Sequence, residues 1–292
     1  KGEEFLSAFK GNENESMLFI GDSDDGYAIA PGIYPVRPNF SGGKKEYIRT
    51  FPDSGYTVIR INGGFRLIFD HGPLGMAPLY NHGHADALSI TLYLDDVPFL
   101  VDPGTYRYNG SKEKRAYFKG TRAHNTVNID GKDQARQLTG FIWEDSYNVD
   151  FSKSTSSDCK MTIQATHDGY TKLTPPVLHT RELAFNEEDV FIIKDSFKGN
   201  GQNDFELNFH LHPDVDINIE DEFTILESSG KKIFIKLVGS QFSIVKGQES
   251  PLMGWYSAGY GLIEPTSVLQ SKVNGFAEST KFTTIISTKP PI

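Results

Sequence analysis

The sequence has few features that would cross-link the chain or insert it into a membrane. Cys159 is the only cysteine among 292 residues, so an intrachain disulfide is excluded and the fold must rely on its core. An apolar run of roughly 18 residues, the minimum for a membrane-spanning helix, does not occur. The start, KGEEFLSAFKGNENES, is polar and charged, unlike a secretory signal peptide. Within it, EEFLSAFK resembles the end of a helix entered midway, and we expect the chain to be a fragment or the processed C-terminal part of a longer protein.

An excess of positive charge is also lacking. The formal net charge is −9, which argues against a nucleic acid partner for the surface as a whole. An anionic partner would need a local basic patch. Neither a glycine-rich phosphate loop in a strand-to-helix context nor a serine nucleophile elbow is present.

The sequence is rich in short alternating segments and in aromatic residues, with 21 Phe and 13 Tyr. From residue 46 onward, segments such as YTVIRI, SITLYL and FELNFHLH are separated by turn residues, a spacing typical of antiparallel strands. We find no helix longer than about two turns in this part. The pattern predicts an all-β fold, a large antiparallel β-sandwich over residues 46–292. Residues 1–45 read as a linker, or as the end of a preceding helical domain.

The stretch YNHGHADALSITLYLDDVPFLVDPGTY, residues 80–106, holds the first candidate site. In extended backbone His82, His84 and Asp86 would share one face. An H-x-H pair can give two nitrogens to one metal, or one ligand and one base. On its own, the pair is weak evidence, and polar residues on the wet face of a half-buried strand are the more common explanation.

A basic cluster follows in SKEKRAYFKGTRAHNT, residues 111–126. Its cations include Arg115 and Arg122, and guanidinium groups match carboxylates and sulfates in shape and charge. The cluster is interpreted either as a loop that binds an anionic ligand such as a uronate or a sulfate, or as a solvated loop. The later pair His179 and Arg181 also alternates on one strand face, and we expect both on the sandwich surface.

The combined motif NHGHADALSITLYLDDVPFLVDPGTYRYNGSKEKRAYFKGTRAHNTVNIDGKDQ, residues 81–134, resembles the C-terminal β-sandwich region of the heparinase II/III-like polysaccharide lyases. FPDSGYTVIR, residues 51–60, is similar to the opening strand of that region. The resemblance covers residues 51–137. The long motif is far more specific than any of its parts.

The resemblance implies a fold and a reaction. These lyases join an N-terminal (α/α) toroid of helices to a β-sandwich, with the active site between them, and cleave uronic-acid polysaccharides by β-elimination. The toroid supplies the acid tyrosine and an Asn or His that neutralises the carboxylate. We expect this helical domain to lie outside the given sequence and to be a partner from the same protein, and we expect little activity from the chain alone.

The resemblance also implies residue roles. His82 is the catalytic histidine, and His84, Asp102 and His124 resemble a zinc site. We interpret the zinc as mainly structural, because elimination itself needs no activated water. We expect Tyr106 and Asn125, together with the two arginines, to contact the substrate.

The position of Asp102 conflicts with regular strands. A two-residue turn at Asp95-Asp96 would place Asp102 opposite Ser89, on the face away from His84. The metal site therefore requires a bulge, a longer turn, or a loop around Gly83. Asp86 remains the competing carboxylate ligand.

The function we expect is a carbon-oxygen lyase acting on an acidic polysaccharide: heparan sulfate, another glycosaminoglycan, alginate or an exopolysaccharide. The alternative is a non-catalytic carbohydrate-binding or scaffold module. A single cysteine does not define the compartment, and we expect a periplasmic or secreted bacterial protein.

Overall fold

The computed structural model describes residues 47–61, 64–155, 161–185 and 189–291, so the predicted linker at 1–45 lies outside the described residues. Among them, strands predominate. The described residues also include one α-helix, α1 (Lys112–Lys119), and three short 3-10 turns at Thr121–Ala123, Gly169–Lys172 and Ala277–Ser279. None of the helices found there is long and apolar enough to cross a membrane.

The strands are numbered along the chain, and their bounds are as follows: β1 (Tyr47–Phe51), β2 (Tyr56–Arg60), β3 (Phe65–Asp70), β4 (Ile90–Leu94), β5 (Val97–Leu100), β6 (Val127–Ile129), β7 (Arg136–Gln137), β8 (Trp143–Glu144), β9 (Val149–Thr155), β10 (Met161–His167), β11 (Leu178–Phe185), β12 (Val190–Lys198), β13 (Gln202–His210), β14 (Asp216–Ile219), β15 (Thr224–Ser228), β16 (Lys231–Leu237), β17 (Ser243–Lys246), β18 (Gln248–Glu249), β19 (Leu252–Met253), β20 (Trp255–Tyr256), β21 (Glu264–Pro265), β22 (Ser267–Phe276) and β23 (Lys281–Ser287).

Three antiparallel sheets contain most of these strands. Their orders are β1-β2-β3-β4-β5, β14-β15-β16-β23-β12-β11-β10-β9 and β17-β22-β13-β6. Three two-stranded ribbons, β7-β8, β18-β19 and β20-β21, complete the described topology. Neighbouring strands are mostly consecutive in the chain, as expected for hairpin-connected antiparallel sheets.

The five-stranded and four-stranded sheets join into one layer. The N–H of Val101 donates to the carbonyl oxygen of His210 (3.0 Å), and the N–H of His212 donates to that of Phe99 (3.1 Å). One hydrophobic cluster then contains side chains from this layer and from the eight-stranded sheet, for example Leu92, Leu207, Phe69, Ile193 and Ile235. The predicted antiparallel β-sandwich is confirmed.

The β4–β5 hairpin resolves the conflict over Asp102. Asp95 and Asp96 both have positive φ, 47° and 69°, as a tight two-residue turn requires. Leu94 pairs with Val97, but Leu92 pairs with Leu100, because the register shifts at a bulge between residues 92 and 93. The bulge moves the continuation of β5 by one residue, which removes the mismatch in side-chain direction.

The prediction that the basic cluster forms a loop is wrong in part, because residues 112–119 form the helix α1. Ser111 caps this helix by accepting the N–H of Lys114 on its side chain (3.2 Å), Glu113 lies in the first turn and Lys119 in the last. These charges complement the helix dipole. Eight residues are too few for a clear helical period in the sequence, yet the capping residues were visible in it.

Candidate active site

The two histidines of the H-x-H motif lie in a loop between β3 and β4. His82 has a φ of 63°, and a Cβ on Gly83 would lie 1.7 Å from the carbonyl oxygen of Leu74, so only glycine fits between the histidines. The backbone is thus not an extended strand here. The expectation that both imidazoles share one face is wrong: His82 is exposed and His84 is buried.

His84 meets His124 inside the protein. The His84 Nδ1 atom lies 3.2 Å from the His124 Nε2 atom, and both residues are buried. His124 follows the 3-10 turn at Thr121–Ala123, and its Nδ1 donates to the carbonyl oxygen of Gly120 (2.8 Å), which leaves Nε2 without a proton. Two nitrogens on a tetrahedral zinc ion, each about 2.0–2.1 Å from the metal, lie roughly 3.3–3.4 Å apart.

Two carboxylates flank this histidine pair. The Asp102 Oδ2 atom lies 3.6 Å from His124 Nε2, and the Asp86 Oδ2 atom lies 3.9 Å from it. One Asp86 oxygen is within 4.8 Å of a ligand nitrogen of both histidines. Asp102 is the more buried of the two, and its Oδ1 accepts the N–H of Gly104 (2.9 Å). Asp102 is therefore nearer to His124, whereas among the described residues Asp86 is the carboxylate that groups with both histidines as a possible metal site.

The electrostatics of the cluster favour a cation. Burial raises the pKa of Tyr56, and the negative charges of Asp70, Asp86 and Asp102 raise it further. Burial also raises the pKa of Asp70 to about 7, with a contribution from Asp102. Several acidic groups therefore converge in a largely buried region.

Burial, and then the neighbouring His84, lowers the pKa of His124 well below its ordinary value, so His124 is neutral. Neutral imidazole nitrogens beside carboxylates are the donor set that zinc and similar divalent metals prefer. The side chains present therefore fit a metal ion.

His82 lies beside an aromatic group on the surface. Its ring packs against Tyr108 (5.6 Å between ring centres) and Phe141 (6.2 Å). Tyr108 also contacts Phe141 and Tyr260, each at 5.8 Å. Phe141 and Tyr260 are exposed, and their positions in GFIWED and AGYGL carried no signal that sequence reasoning could have used.

Arg115 and Arg122 already have partners within the protein. Arg115 is buried, its Nε donates to the carbonyl oxygen of Gly140 (3.1 Å), and its guanidinium lies 5.1 Å from the centre of the Tyr108 ring. Arg122 forms a two-point ion pair with Glu206, at 2.7 and 3.1 Å. Arg115 therefore supports the aromatic group from below, and only Arg122 keeps a partly exposed guanidinium.

Tyr106 and Asn125 lie in different environments. Tyr106 is half-buried, packs against Phe118, and has the ammonium of Lys114 5.8 Å from its ring centre. Asn125 is buried, and its side-chain amide donates to the carbonyl oxygens of Ile90 (2.7 Å) and Val101 (2.9 Å). Both amide hydrogens are used, so Asn125 holds the loops together and has no donor left for a substrate.

His179 and Arg181 are fully buried, so their expected place on the sandwich surface is wrong. Both point to the inner face of the eight-stranded sheet, where they bind Asp195. Their alternation with Leu183 and Phe185 places all four side chains on one face of β11, and the apolar pair identifies that face as the inner one. This signal in the sequence was sufficient to predict their burial.

The fold and the cluster together define a β-sandwich with a metal-competent His-Asp-His centre. The sequence matches the family described as "Heparinase II/III-like, C-terminal" over residues 43–288, and the chain belongs to this family. Among curated proteins, no sequence matches.

Two solved structures illustrate the relation. Heparan sulfate lyase HepC from Pedobacter heparinus is 16% identical with a TM-score of 0.67, and the alignment covers 91% of this chain and 40% of that one. A heparinase III structure is 14% identical with a TM-score of 0.70, covering 97% and 47%. Likeness at this identity concerns the fold. The chain spans less than half the length of either relative.

Proposed function

We propose that the chain is the C-terminal part of a polysaccharide lyase that cleaves a uronic-acid-containing acidic polysaccharide by β-elimination. Membership of the heparinase II/III-like family supports a lyase lineage. The substrate class includes heparan sulfate, other glycosaminoglycans, alginate and exopolysaccharides, and the proposed compartment is the periplasm or the exterior of a bacterium.

One observation carries the proposal: the loop at residues 82–84 divides its two histidines between surface and interior. His82 is exposed beside Tyr108 and Phe141, while His84 is buried against His124. A substrate can reach the first imidazole, and the second fixes the loop that carries it. Histidine is the side chain whose ordinary pKa suits proton transfer near neutral pH.

The reaction needs three events at the uronate. A base removes the proton from C5, the electron pair forms the C4=C5 double bond, and the C4–O bond breaks as an acid protonates the leaving oxygen. The C5 proton becomes acidic enough only when the charge of the neighbouring carboxylate is neutralised. We assign His82 to proton transfer at the sugar. The acid tyrosine and the carboxylate-neutralising Asn or His are proposed to come from a helical domain.

We further propose that His84, Asp102 and His124 hold zinc, with Asp86 as the competing carboxylate. When bound, the ion supplies positive charge and a fixed joint between three segments of the chain. The Asp102 carboxylate follows β5, His124 precedes β6, and His84 lies in the loop that also carries His82. His82 is thereby held in place for the substrate.

The anionic polymer would lie across the face formed by His82 and the aromatic group. Tyr106, beside Lys114 and Arg107, remains a proposed contact on this face. Arg122 is proposed to exchange part of its pairing with Glu206 for a sulfate or carboxylate of the polymer. Arg115 supports Tyr108, and its proposed effect on substrate binding is indirect.

The test is a lyase assay on the natural full-length protein, following absorbance of the new C4=C5 double bond. We expect His82→Ala to lower turnover by about 10²–10⁴-fold, the usual worth of a general acid or base, with zinc content and melting temperature unchanged. His212→Ala is the matched control, since His212 is also partly exposed but lies on another segment of the chain.

Turnover in His82→Ala equal to that of the control would remove His82 from the reaction. Binding of the polysaccharide without any unsaturated product, in the parent protein itself, would favour the non-catalytic carbohydrate-binding module instead.

A further inference from the structure

A group of buried polar side chains on the inner face of the eight-stranded sheet has no part in the chemistry above. Arg181 and Asp195 are direct cross-strand partners on β11 and β12. Arg181 donates to both Asp195 oxygens, from Nε at 2.8 Å and from Nη2 at 3.0 Å. Both side chains are at most 1% exposed, and their neighbours on β11, Leu183 and Phe185, are core residues.

Stability alone does not explain such a pair. Removing two charges from water is costly, and apolar residues of similar volume often serve a core as well or better. The geometry of Arg181 indicates another reason for its presence. Its Nη1 donates to two further acceptors, the carbonyl oxygens of Leu88 (2.7 Å) and Asn125 (2.5 Å).

These two carbonyls belong to the segments that carry the proposed metal ligands. Leu88 lies two residues after Asp86 in the loop before β4, and Asn125 directly follows His124. Leu88 has a φ of 65°, a conformation that a leucine adopts only when its surroundings hold it there. The hydrogen bond from Arg181 to the Leu88 carbonyl is one contact that does so.

We infer that Arg181, oriented by Asp195, is a positioning residue that clamps the Leu88 and Asn125 backbones together and so sets the distance between the ligand-bearing segments. This inference rests on the metal centre of the proposed function. It connects the eight-stranded sheet, across the sandwich, to the centre in the opposite layer.

The fork of the guanidinium is what makes the clamp possible. Four of its five N–H groups are used, two on Asp195 and one on each carbonyl. A lysine ammonium offers three donors from a single atom, so it cannot pair with Asp195 at two points and reach both carbonyls.

The test uses the double variant Arg181→Met/Asp195→Asn, which removes both buried charges together. Zinc affinity is measured by competition titration with zinc alone, and backbone hydrogen exchange is followed at residues 84–89 and 123–126. We expect zinc affinity to fall by about 10- to 100-fold, the usual effect of removing a residue that orients metal ligands. Hydrogen exchange should rise in both segments but not in the eight-stranded sheet.

Arg181→Lys is the second variant, which keeps the charge opposite Asp195 and so protects the measurement against misfolding of the double variant. It should lose zinc affinity in the same direction. His167→Leu is the matched control: His167 is fully buried and belongs to the same group of side chains, but it does not bind Arg181. It should lower the melting temperature and leave zinc affinity and exchange at the two segments unchanged.

Unchanged affinity and unchanged exchange in either folded Arg181 variant would overturn the inference. A parent protein that binds no zinc would refute the metal centre, while the exchange measurement would still decide whether Arg181 clamps the two segments.

Discussion

Two buried histidine pairs in this protein have the same separation and different surroundings. His84 and His124 approach to 3.2 Å between ring nitrogens, and so do His167 and His179. Each pair has a carboxylate beside it. Yet Asp195 lies 2.7 Å from His179, a hydrogen bond, whereas Asp102 lies 3.6 Å from His124, which is too long for one.

The second pair forms a closed chain of hydrogen bonds. The N–H of Gly169 donates to His167 Nδ1 (3.2 Å), His167 Nε2 donates to His179 Nδ1, and His179 Nε2 donates to Asp195. One proton on each ring satisfies all four ring nitrogens. Burial lowers the pKa of both histidines, which keeps them neutral.

Burial alone would raise the pKa of Asp195, but the Arg181 charge and the His179 hydrogen bond hold it below its ordinary value. The neutral histidines and the Asp195–Arg181 pair therefore carry no net charge. A metal would find no imidazole lone pair in this group that is not already used in a hydrogen bond.

The first pair is open by comparison. His124 spends its proton on Gly120, so its Nε2 lone pair faces His84 and two carboxylates at distances suited to a shared ion. A proton on His84 Nδ1 would make an ordinary hydrogen bond with His124, whereas an Nδ1 without a proton would offer a second lone pair to the same ion. The distance between two histidines therefore does not identify a metal site. What identifies it is whether the ring N–H groups bind other acceptors and leave ring nitrogens free of protons for the metal.

The largest expected effect comes from replacing the carboxylate in each group by its amide. Asp195→Asn leaves the Arg181 charge buried without a counter-charge, and we expect it to lower the free energy of unfolding by about 3–5 kcal/mol. Asp102→Asn keeps the acceptor for Gly104 and removes one of several crowded negative charges. In metal-free protein it should change that free energy by about 1 kcal/mol or less.

Urea unfolding in the presence of a chelator measures both. Equal losses would mean that Asp102, like Asp195, belongs to a closed network, and the contrast between the two groups would fail.

The next effect is stabilisation by zinc. An ion that binds only the folded state should raise the free energy of unfolding by about 2.7 kcal/mol when free zinc is 100 times its Kd. We expect His84→Ala to abolish this gain and the bound metal, and His167→Leu to retain both. Melting curves with and without zinc, together with metal analysis, provide the measurement.

The same assay assigns the carboxylate ligand. Asp102→Asn should weaken zinc binding more than Asp86→Asn if the shorter distance to His124 decides. A parent protein without stoichiometric metal would show that the His84–His124 contact is an ordinary hydrogen bond.

The sequence predicted the fold well because strand alternation and turn residues are local signals. The turn at Asp95-Asp96 is correctly placed, and the bulge that follows was one of the solutions that the mismatch at Asp102 demanded. The proximity of His84, Asp86, Asp102 and His124 could be predicted only from the family motif. These residues lie up to 40 positions apart, so no local pattern in the sequence brings them together.

Other features depended on tertiary packing. The direction of His82 is set by a positive φ and by the tight packing of Gly83 against Leu74, neither of which alternation reveals. Asn125 and Arg115 look like surface polar residues in the sequence, but each satisfies backbone carbonyls inside the fold. From the sequence we interpret these two polar residues as contacts to a substrate, whereas their partners in the structure are backbone carbonyl groups of the same chain.

The smallest effect concerns pH, and it distinguishes the groups by their protons. Burial lowers the pKa of His71 to about 4 and of His210 to about 3, and it lowers those of His167 and His179 too. As pH falls below about 6.5, these histidines become protonated in the unfolded chain but stay neutral in the folded protein. The free energy of unfolding therefore falls by about 1.4 kcal/mol per pH unit for each histidine.

Asp70 acts in the opposite direction. Because its pKa is raised to about 7, the folded state takes up a proton first and gains stability on acidification. We expect metal-free protein to lose stability overall between about pH 6.5 and pH 5, since the buried histidines outnumber the raised carboxyls. His167→Leu removes one histidine that takes up a proton only on unfolding. The free energy of unfolding of this variant should therefore fall less steeply with falling pH, by about 1.4 kcal/mol per pH unit. Parallel slopes for variant and parent in urea titrations would mean that His167 is charged in the folded state, which the closed chain of hydrogen bonds does not allow.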